Sequence, residues 1–305
     1  MTFRPARPLK ARRRFAVGNF ARRFQPPKVY GRIGSLEVRL ASKKSEIRRA
    51  QRLRYKVFYE EMSATPNALA ILSRRDEDAY DAIFDHLLVI DRAGEGKGRW
   101  RRSKIVGTYR VLRQDVADLY DGFYTQGEYD LAPLIAAKSP NVSFMELGRS
   151  CVLKPYRNRR TIELLWQGIW SYVHEHGVDV MVGCASFEGT DPSAHAEALS
   201  FLYHTALAPA AWRVRAHEHL RIDMNMMPDA AISGRSAVKA LPPLIKGYLR
   251  LGAYIGDGAV IDHQFGTTDV LIILPVQAIR SRYTAYFGAS DGLAAPLASE
   301  LMPLN

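Results

Sequence analysis

Residues 144–160 read FMELGRSCVLKPYRNRR. The run opens like a core strand, yet it carries Glu146 and Arg149 where packing calls for Val or Ile. It then ends in Lys154, Arg157, Arg159 and Arg160 within seven positions. A buried strand ordinarily reads as apolar residues bounded by turn signals. Side chains alternate along a regular strand, so Glu146 and Arg149 fall on opposite faces. A bulge at Gly148 would bring both to one side, and bulges re-aim side chains at functional strands. The basic residues gather where the next helix begins. Helix N-termini attract anions through unpaired N–H groups and the dipole, and arginine adds bidentate phosphate contacts. The stretch therefore offers an internal carboxylate, followed by either an anion seat or a solvated basic turn.

Outward from it, strand and helix signals alternate. RTIELLWQGIWSYVHEHG (160–177) has Ile162, Leu165, Ile169 and Val173 on one stripe and Gly177 as a stop. VDVMVGCAS (178–186) reads as a strand, and DPSAHAEALSFLYHTA (191–206) as a helix with Asp191 at the N-cap and Pro192 in first position. A strand–helix–strand unit implies parallel strands and a right-handed crossover. Upstream, GSLEVRLA (34–41) alternates as a first strand, and Ser45 caps a helix through Met62. HLLVID (86–91) and KIVGTYRVLR (104–113) make a hairpin carrying Arg110. Downstream, WRVRA and LRIDMNM read as strands, PPLIKGYLRLG as a helix, and further strands follow. HQFGTTDVLIIL (263–274) reads either as a core strand or as an acyl-chain lining. The expected division is a basic arm over 1–33, one α/β domain over 34–285 and a tail over 286–305.

The chain has 305 residues, 47% of them hydrophobic, enough for a substantial core. Its net charge of +12 is uneven: residues 1–30 hold nine Lys or Arg and no acid. Val17, Phe20, Ala21 and Phe24 lie at helical spacing within that arm. This pattern suits an anionic membrane surface, or else a solubilising tail, and nucleic acid fits it less well. Cys151 and Cys184 give neither a disulfide framework nor a metal spacing. The pairs His174/His176 and His217/His219 stand two apart, a poor spacing for ligands on one helix face. A cytoplasmic protein peripheral to the inner membrane is expected.

On the helix over 45–62, Ile47, Ala50, Arg54 and Val57 share one stripe, so Arg54 either snorkels from the edge of that stripe or turns inward, where it requires a counter-charge. Asp76, Glu77, Asp78, Asp81 and Asp85 crowd the segment that follows. Read from the residues alone, this cluster is either a solvated face or the acidic half of a site.

The order of elements resembles the Gcn5-related N-acetyltransferase (GNAT) fold. The stretches RLRYKVFYEEM, YDAIFDHLLVID, KIVGTYRVLR, ELGRSCVLKPYRNRRTIELLWQGIW, CASFEGTDPSAHAEALSFLY and LPPLIKGYLRLGAYIGDGAVIDHQFGTTDV are similar to its hemolysin-like branch, which includes the L-ornithine Nα-acyltransferases. A more distant resemblance is to acyl-homoserine-lactone synthases, whose pattern falls here on Arg54, Phe58, Asp78, Asp81, Arg110, Glu146 and Arg149. The fold implied is α/β (α+β), a mixed central sheet flanked by helices. The activity implied is transfer of a (3-hydroxy)fatty acyl group from acyl carrier protein to the α-amine of L-ornithine, giving lyso-ornithine lipid.

No resident cofactor or metal is implied; the co-substrate is an acyl-phosphopantetheine thioester. The family's phosphate loop normally contains glycine, whereas Arg157-Asn-Arg-Arg-Thr-Ile has none. Its additional arginines suit an acidic acyl carrier protein and point away from acetyl-CoA. Only a free amine attacks a thioester, so a base is required. Glu146 is the expected base, with Arg149 beside it and Tyr203 as the acid for the leaving thiolate. Arg54, Phe58, Asp78, Asp81, Asp85 and Arg110 are expected to bind the amino acid, the three aspartates holding its ammonium groups. Arg157, Arg159 and Arg160 are expected to seat the phosphopantetheine. The alternatives are a signal synthase acylating another amino compound, and a membrane-binding protein with an idle GNAT fold.

Overall fold

A computed structural model of the chain describes residues 27–62, 64–95 and 102–279. The alternating and continuous apolar runs form one mixed sheet of eight strands. They are β1 (Val29–Ile33), β2 (Leu36–Leu40), β3 (Asp85–Glu95), β4 (Arg102–Arg113), β5 (Phe144–Val152), β6 (Val180–Glu188), β7 (Tyr254–Asp262) and β8 (Thr267–Pro275), ordered β1-β2-β3-β4-β5-β6-β8-β7. Every neighbouring pair is antiparallel except β5 and β6, which are joined by a helical crossover as the βαβ reading required. The helices are α1 (Lys44–Tyr55), α2 (Ala68–Ser73), α3 (Gln114–Ala117), α4 (Ala132–Lys138), α5 (Arg159–His176), α6 (Ala196–Ala206), α7 (Gly234–Ala240) and α8 (Pro243–Leu251).

α5 starts at the Asn158 cap, ends at left-handed Gly177 and lies across β1 to β4. It settles close to the sheet because Gly168 has no side chain: a Cβ there would stand 2.7 Å from Val38 and 2.9 Å from Leu87. The larger core joins α5 and α8 to this side of the sheet, and Tyr109 and Tyr248 share a 2.9 Å hydroxyl contact inside it. A second core packs the 123–134 segment against Phe144, Val180 and Val182.

The feature that positions chemistry is the parting of β5 and β6. They pair only from Phe144↔Val180 to Glu146↔Val182, after which β5 follows β4 and β6 follows β8. At the fork, Gly183 lies so close to β5 that a Cβ would stand 2.3 Å from the Leu147 carbonyl oxygen. Only glycine fits there.

Several expectations need correcting. The sheet begins at Val29, inside the stretch expected to be arm, because β1 pairs with β2 as an edge strand. The first helix is capped at Lys43 rather than Ser45, and it passes into a π-helical segment, Lys56–Glu61, instead of running on regularly to Met62. WRVRA and LRIDMNM are not strands. They touch β7 through the single bridges Arg215↔Asp257 and Ile222↔Ala259, since β7 itself bulges between Ile255 and Ala259 and the segment turns between the two contacts. The stretch over 267–275 is the core strand β8. The amphipathic segment over 17–24 and the tail over 286–305 lie outside the described residues.

Candidate active site

Arg54 turns inward and finds the counter-charges that this place in the apolar stripe requires. It is fully buried and donates from Nε to Asp76 (2.7 Å) and from Nη1 and Nη2 to the two Asp81 oxygens (2.8 Å each). Gln51 adds a 3.0 Å bond to Asp81. Arg110, also buried, continues the ladder to Asp78 (2.6 Å) and Asp81 (3.1 Å). Burial alone would raise the Asp81 carboxyl; bonds and charge from Arg54, with Arg110 behind, hold it well below the ordinary carboxylate range. Asp78 and Asp81 also form a reciprocal cap on the 3₁₀ turn Ala79–Ala82. Arg54 and Arg110 thus pair with Asp81 and with one oxygen of Asp78, whose other oxygen, Oδ2, is buried without a hydrogen-bond partner.

Arg149 ends the ladder. Thr108↔Cys151 and Arg110↔Gly148 leave one β4 residue facing two on β5, so the bulge falls at Arg149 and Ser150, one position beyond Gly148. Arg149 adopts φ 52°, a left-handed conformation unusual for a side chain of its size. This turns its guanidinium over the Phe265 ring (4.3 Å) and the Tyr124 ring (5.0 Å), with Asp76 and Asp78 at 3.6 Å.

Glu146 lies on the same face, further back along β5. Its two oxygens accept from the Tyr124 N–H (2.7 Å), the Thr125 N–H (2.8 Å) and the Thr125 hydroxyl (2.5 Å). Complete burial raises its pKa despite those bonds. The bulge thus brings Arg149 to the face that Glu146 and Arg110 share, and Tyr124 meets both residues there. Glu146 pins the turn Tyr124–Gly127, and through Tyr124 that turn touches Arg149 by a 3.3 Å hydroxyl bond.

The residue after this turn is Glu128, and around it lies a group the sequence did not single out. Oxygens of Glu128, Asp262 and Asp269 all come within 4.8 Å of one another. Glu128 accepts from the Cys184 thiol on β6 (3.2 Å); Asp262 ends β7; Asp269 sits on β8 opposite Ser186. None of the three carboxylates is in an ion pair among the described residues, and Asp269 Oδ1 is buried without a hydrogen-bond partner. Burial first, then the Asp269 and Asp262 charges, push Glu128 up to about 7; burial, with Asp262 nearby, pushes Asp269 up to about 6. Glu128 and Asp262 are partly open to solvent. The result is an acidic recess beside the parting strands, bordered by the Arg149–Phe265 stack, with carboxyls poised to exchange protons near neutrality.

Residues 53–167 match the acetyltransferase (GNAT) domain family. The chain is 53% identical over 260 residues to the L-ornithine N(alpha)-acyltransferase of Agrobacterium fabrum, covering 85% of this chain and 87% of that protein. It is 52% identical over 261 residues to the Brucella abortus protein of the same name, covering 86% and 92%. The chain belongs to the L-ornithine Nα-acyltransferase family. It is an acyltransferase with the GNAT fold. Among solved structures, FeeM, an N-acyl amino acid synthase from uncultured soil microbes, aligns with a TM-score of 0.40 at 11% identity, over 81% of this chain and 93% of that one.

The remaining expected residues of the acyltransferase divide by position. Phe58, on the π segment, meets Phe265 edge-on at 5.5 Å and so borders the recess. Asp85 accepts from Tyr172 of α5 (2.7 Å) and lies 3.9 Å from Arg113, which sets it in a separate structural cluster. Tyr203, half-buried on α6, packs beside His204. Arg157 bonds the Val152 carbonyl (2.9 Å) and Glu61 (2.5 Å), Arg159 bonds Glu163 (2.8 Å), and Arg160 is exposed, all at the start of α5. Cys184 is half-buried and serves as a thiol donor to Glu128; its own pKa is raised well above the usual value, chiefly by burial. A sequence signal for part of the recess did exist: Asp269 is a charged residue inside the apolar run of β8, whereas Asp262 ends β7 and accepts from the Gln264 and Phe265 N–H groups of the turn that follows.

Proposed function

We propose that this acyltransferase moves a fatty acyl group, carried as a phosphopantetheine thioester on acyl carrier protein, to the α-amine of L-ornithine, giving lyso-ornithine lipid at the inner face of the membrane. The observation that carries the acceptor is the recess: three carboxylates without a cationic partner suit a substrate bearing two ammonium groups. The relatives' names point to the same acceptor. In this reading Glu128 takes the proton of the attacking α-amine, a role that fits a carboxyl lifted to about 7. Asp262 and Asp269 hold the side-chain ammonium, and Arg149 meets the substrate carboxylate from its bulge.

The amine attacks the thioester carbonyl where β5 and β6 part, with backbone N–H groups of the diverging strands facing the oxyanion. The carbon–nitrogen bond forms, the carbon–sulfur bond breaks, and the thiolate takes a proton, for which Tyr203 is the candidate donor. Arg157, Arg159 and Arg160 favour the negatively charged phosphopantetheine arm and an acidic carrier. No helix among the described residues is long and apolar enough to cross a membrane, so contact with the bilayer would be peripheral.

The test is mass spectrometry of products from purified protein supplied with acyl carrier protein thioesters or the matching coenzyme A thioesters, and a panel of amino acids. Nα-acylornithine formed preferentially from the carrier protein supports the reading. Acylation of another amine, or equal use of coenzyme A, contradicts it.

A further inference from the structure

Six large apolar side chains are exposed among the described residues, and four of them, Met62 (45%), Leu69 (77%), Ile71 (57%) and Leu72 (85%), fall within eleven positions. The last three belong to α2, a six-residue helix that buries Ala70 and turns its leucines outward, the reverse of an ordinary surface helix. Clustered apolar groups of this kind mark a contact surface.

The surroundings are basic. Between α2 and the end of α1 runs an open groove of ≈ 430 Å³ lined by Arg52, Tyr55, Lys56, Glu60, Leu72, Ser73 and Arg74. Arg48 and Arg52 on α1 and Lys56 at the start of the π segment repeat every fourth residue, are exposed, and make no ion pair among the described residues. Arg74, held left-handed at φ 49° as the C-cap of α2, turns back into the groove, pairs with Glu60 and lies over the Tyr55 ring at 5.5 Å.

We propose that this face docks on an anionic bilayer, with Met62, Leu69, Ile71 and Leu72 entering the interface and lipid phosphates resting against Arg48, Arg52 and Lys56. Leucines flanked by unpaired cations match an interfacial contact on both counts, apolar depth and charge. A second copy of this surface would set cation against cation. The location supports the assignment: the π segment that follows α1 sends Phe58 and Tyr59 inward to Phe265, and Thr65 N–H bonds the Gln264 carbonyl at 2.7 Å. The docking face therefore backs onto the wall of the recess, and an acylated product leaves the site beside the bilayer.

The test uses the full chain as wild type, as Leu69→Ser/Leu72→Ser and as Arg52→Gln/Lys56→Gln. Sedimentation with vesicles of phosphatidylcholine alone, or containing phosphatidylglycerol, measures binding; size exclusion and turnover on soluble substrates run alongside. The wild type is expected to bind phosphatidylglycerol vesicles, and each double variant to bind them about tenfold or more weakly, the exchange of two leucines or two cations at an interface. Turnover on soluble substrates is expected to stay unchanged. Equal binding by the variants, or no binding by the wild type, overturns the proposal. So does a wild-type dimer that the leucine variant dissociates, which would make the face a self-interface.

Discussion

Substituting Glu128 separates a residue kept for chemistry from one kept for the fold. Its carboxyl stands at about 7 against an ordinary 4.5, because the fold buries it beside Asp269 and Asp262. Such a displacement corresponds to about 3 kcal/mol, a ceiling that the partial exposure of the site reduces. The sign is fixed: between those pH values the folded state binds more protons than the unfolded one, so stability falls as pH rises through the window. Glu128→Gln keeps the shape and an acceptor for the Cys184 thiol while removing the charge. At pH 8 the variant is expected to be about 1–2 kcal/mol more stable than wild type, which is a rise of roughly 2–8 °C in melting temperature for a domain this large. At pH 4, below both values, where Glu128 is protonated in the folded protein and mostly so in the unfolded chain, the two should melt nearly together. Turnover should fall by about 10²–10⁴ because the proton acceptor is gone. The assay is thermal unfolding at both pH values together with product formation. A variant that is less stable at pH 8, or that keeps most of its activity, refutes the assignment of Glu128 as base.

Other substitutions probe the surrounding framework. Arg54→Met leaves Asp76 and Asp81 buried with fewer counter-charges and should cost about 3–5 kcal/mol at neutral pH. Because the Asp81 pKa is depressed in the fold, that loss should shrink in urea titrations as pH falls below the ordinary aspartate range. Glu146→Gln presents an amide to the Tyr124 and Thr125 donors, so it should lower stability by about 1–3 kcal/mol and raise KM through the displaced turn, without moving the acid limb of the pH–rate profile. Changing Arg157, Arg159 and Arg160 together to Gln should raise KM for the carrier-protein thioester and flatten its salt dependence with little change in kcat, measured by initial rates over a salt series.

Much of the fold was legible because its signals are local. The apolar stripe and Gly177 stop of α5, the hairpin of β3 and β4 and the strand β5 depend on residues close in sequence. Arg54 was legible in part for the same reason: a guanidinium turned inward on an apolar stripe implies buried carboxylates, and an acidic stretch follows within about a helix length. The bulge was expected one residue early, since alternation shows that a strand must be irregular but not which residue takes the left-handed conformation. Glu146 looked catalytic from its place in β5; only the packing of residues 123–125 onto that strand shows three donors already on it. The recess was legible only in part, through Asp269 standing inside the apolar run of β8. Glu128, Asp262 and Asp269 come from a turn and two strands more than a hundred positions apart in part, and they meet only because β8 inserts between β6 and β7.

That recess is tested most directly by calorimetric titration of L-ornithine into the protein in buffers of different ionisation enthalpy, which counts the protons released on binding. If the two ammonium groups seat among Glu128, Asp262 and Asp269, binding should expel protons from carboxyls raised to about 7 and about 6, with release greatest near those pH values and much reduced in Glu128→Gln. Binding that releases no protons there, or that releases them equally in the variant, would place the amine elsewhere and contradict the account.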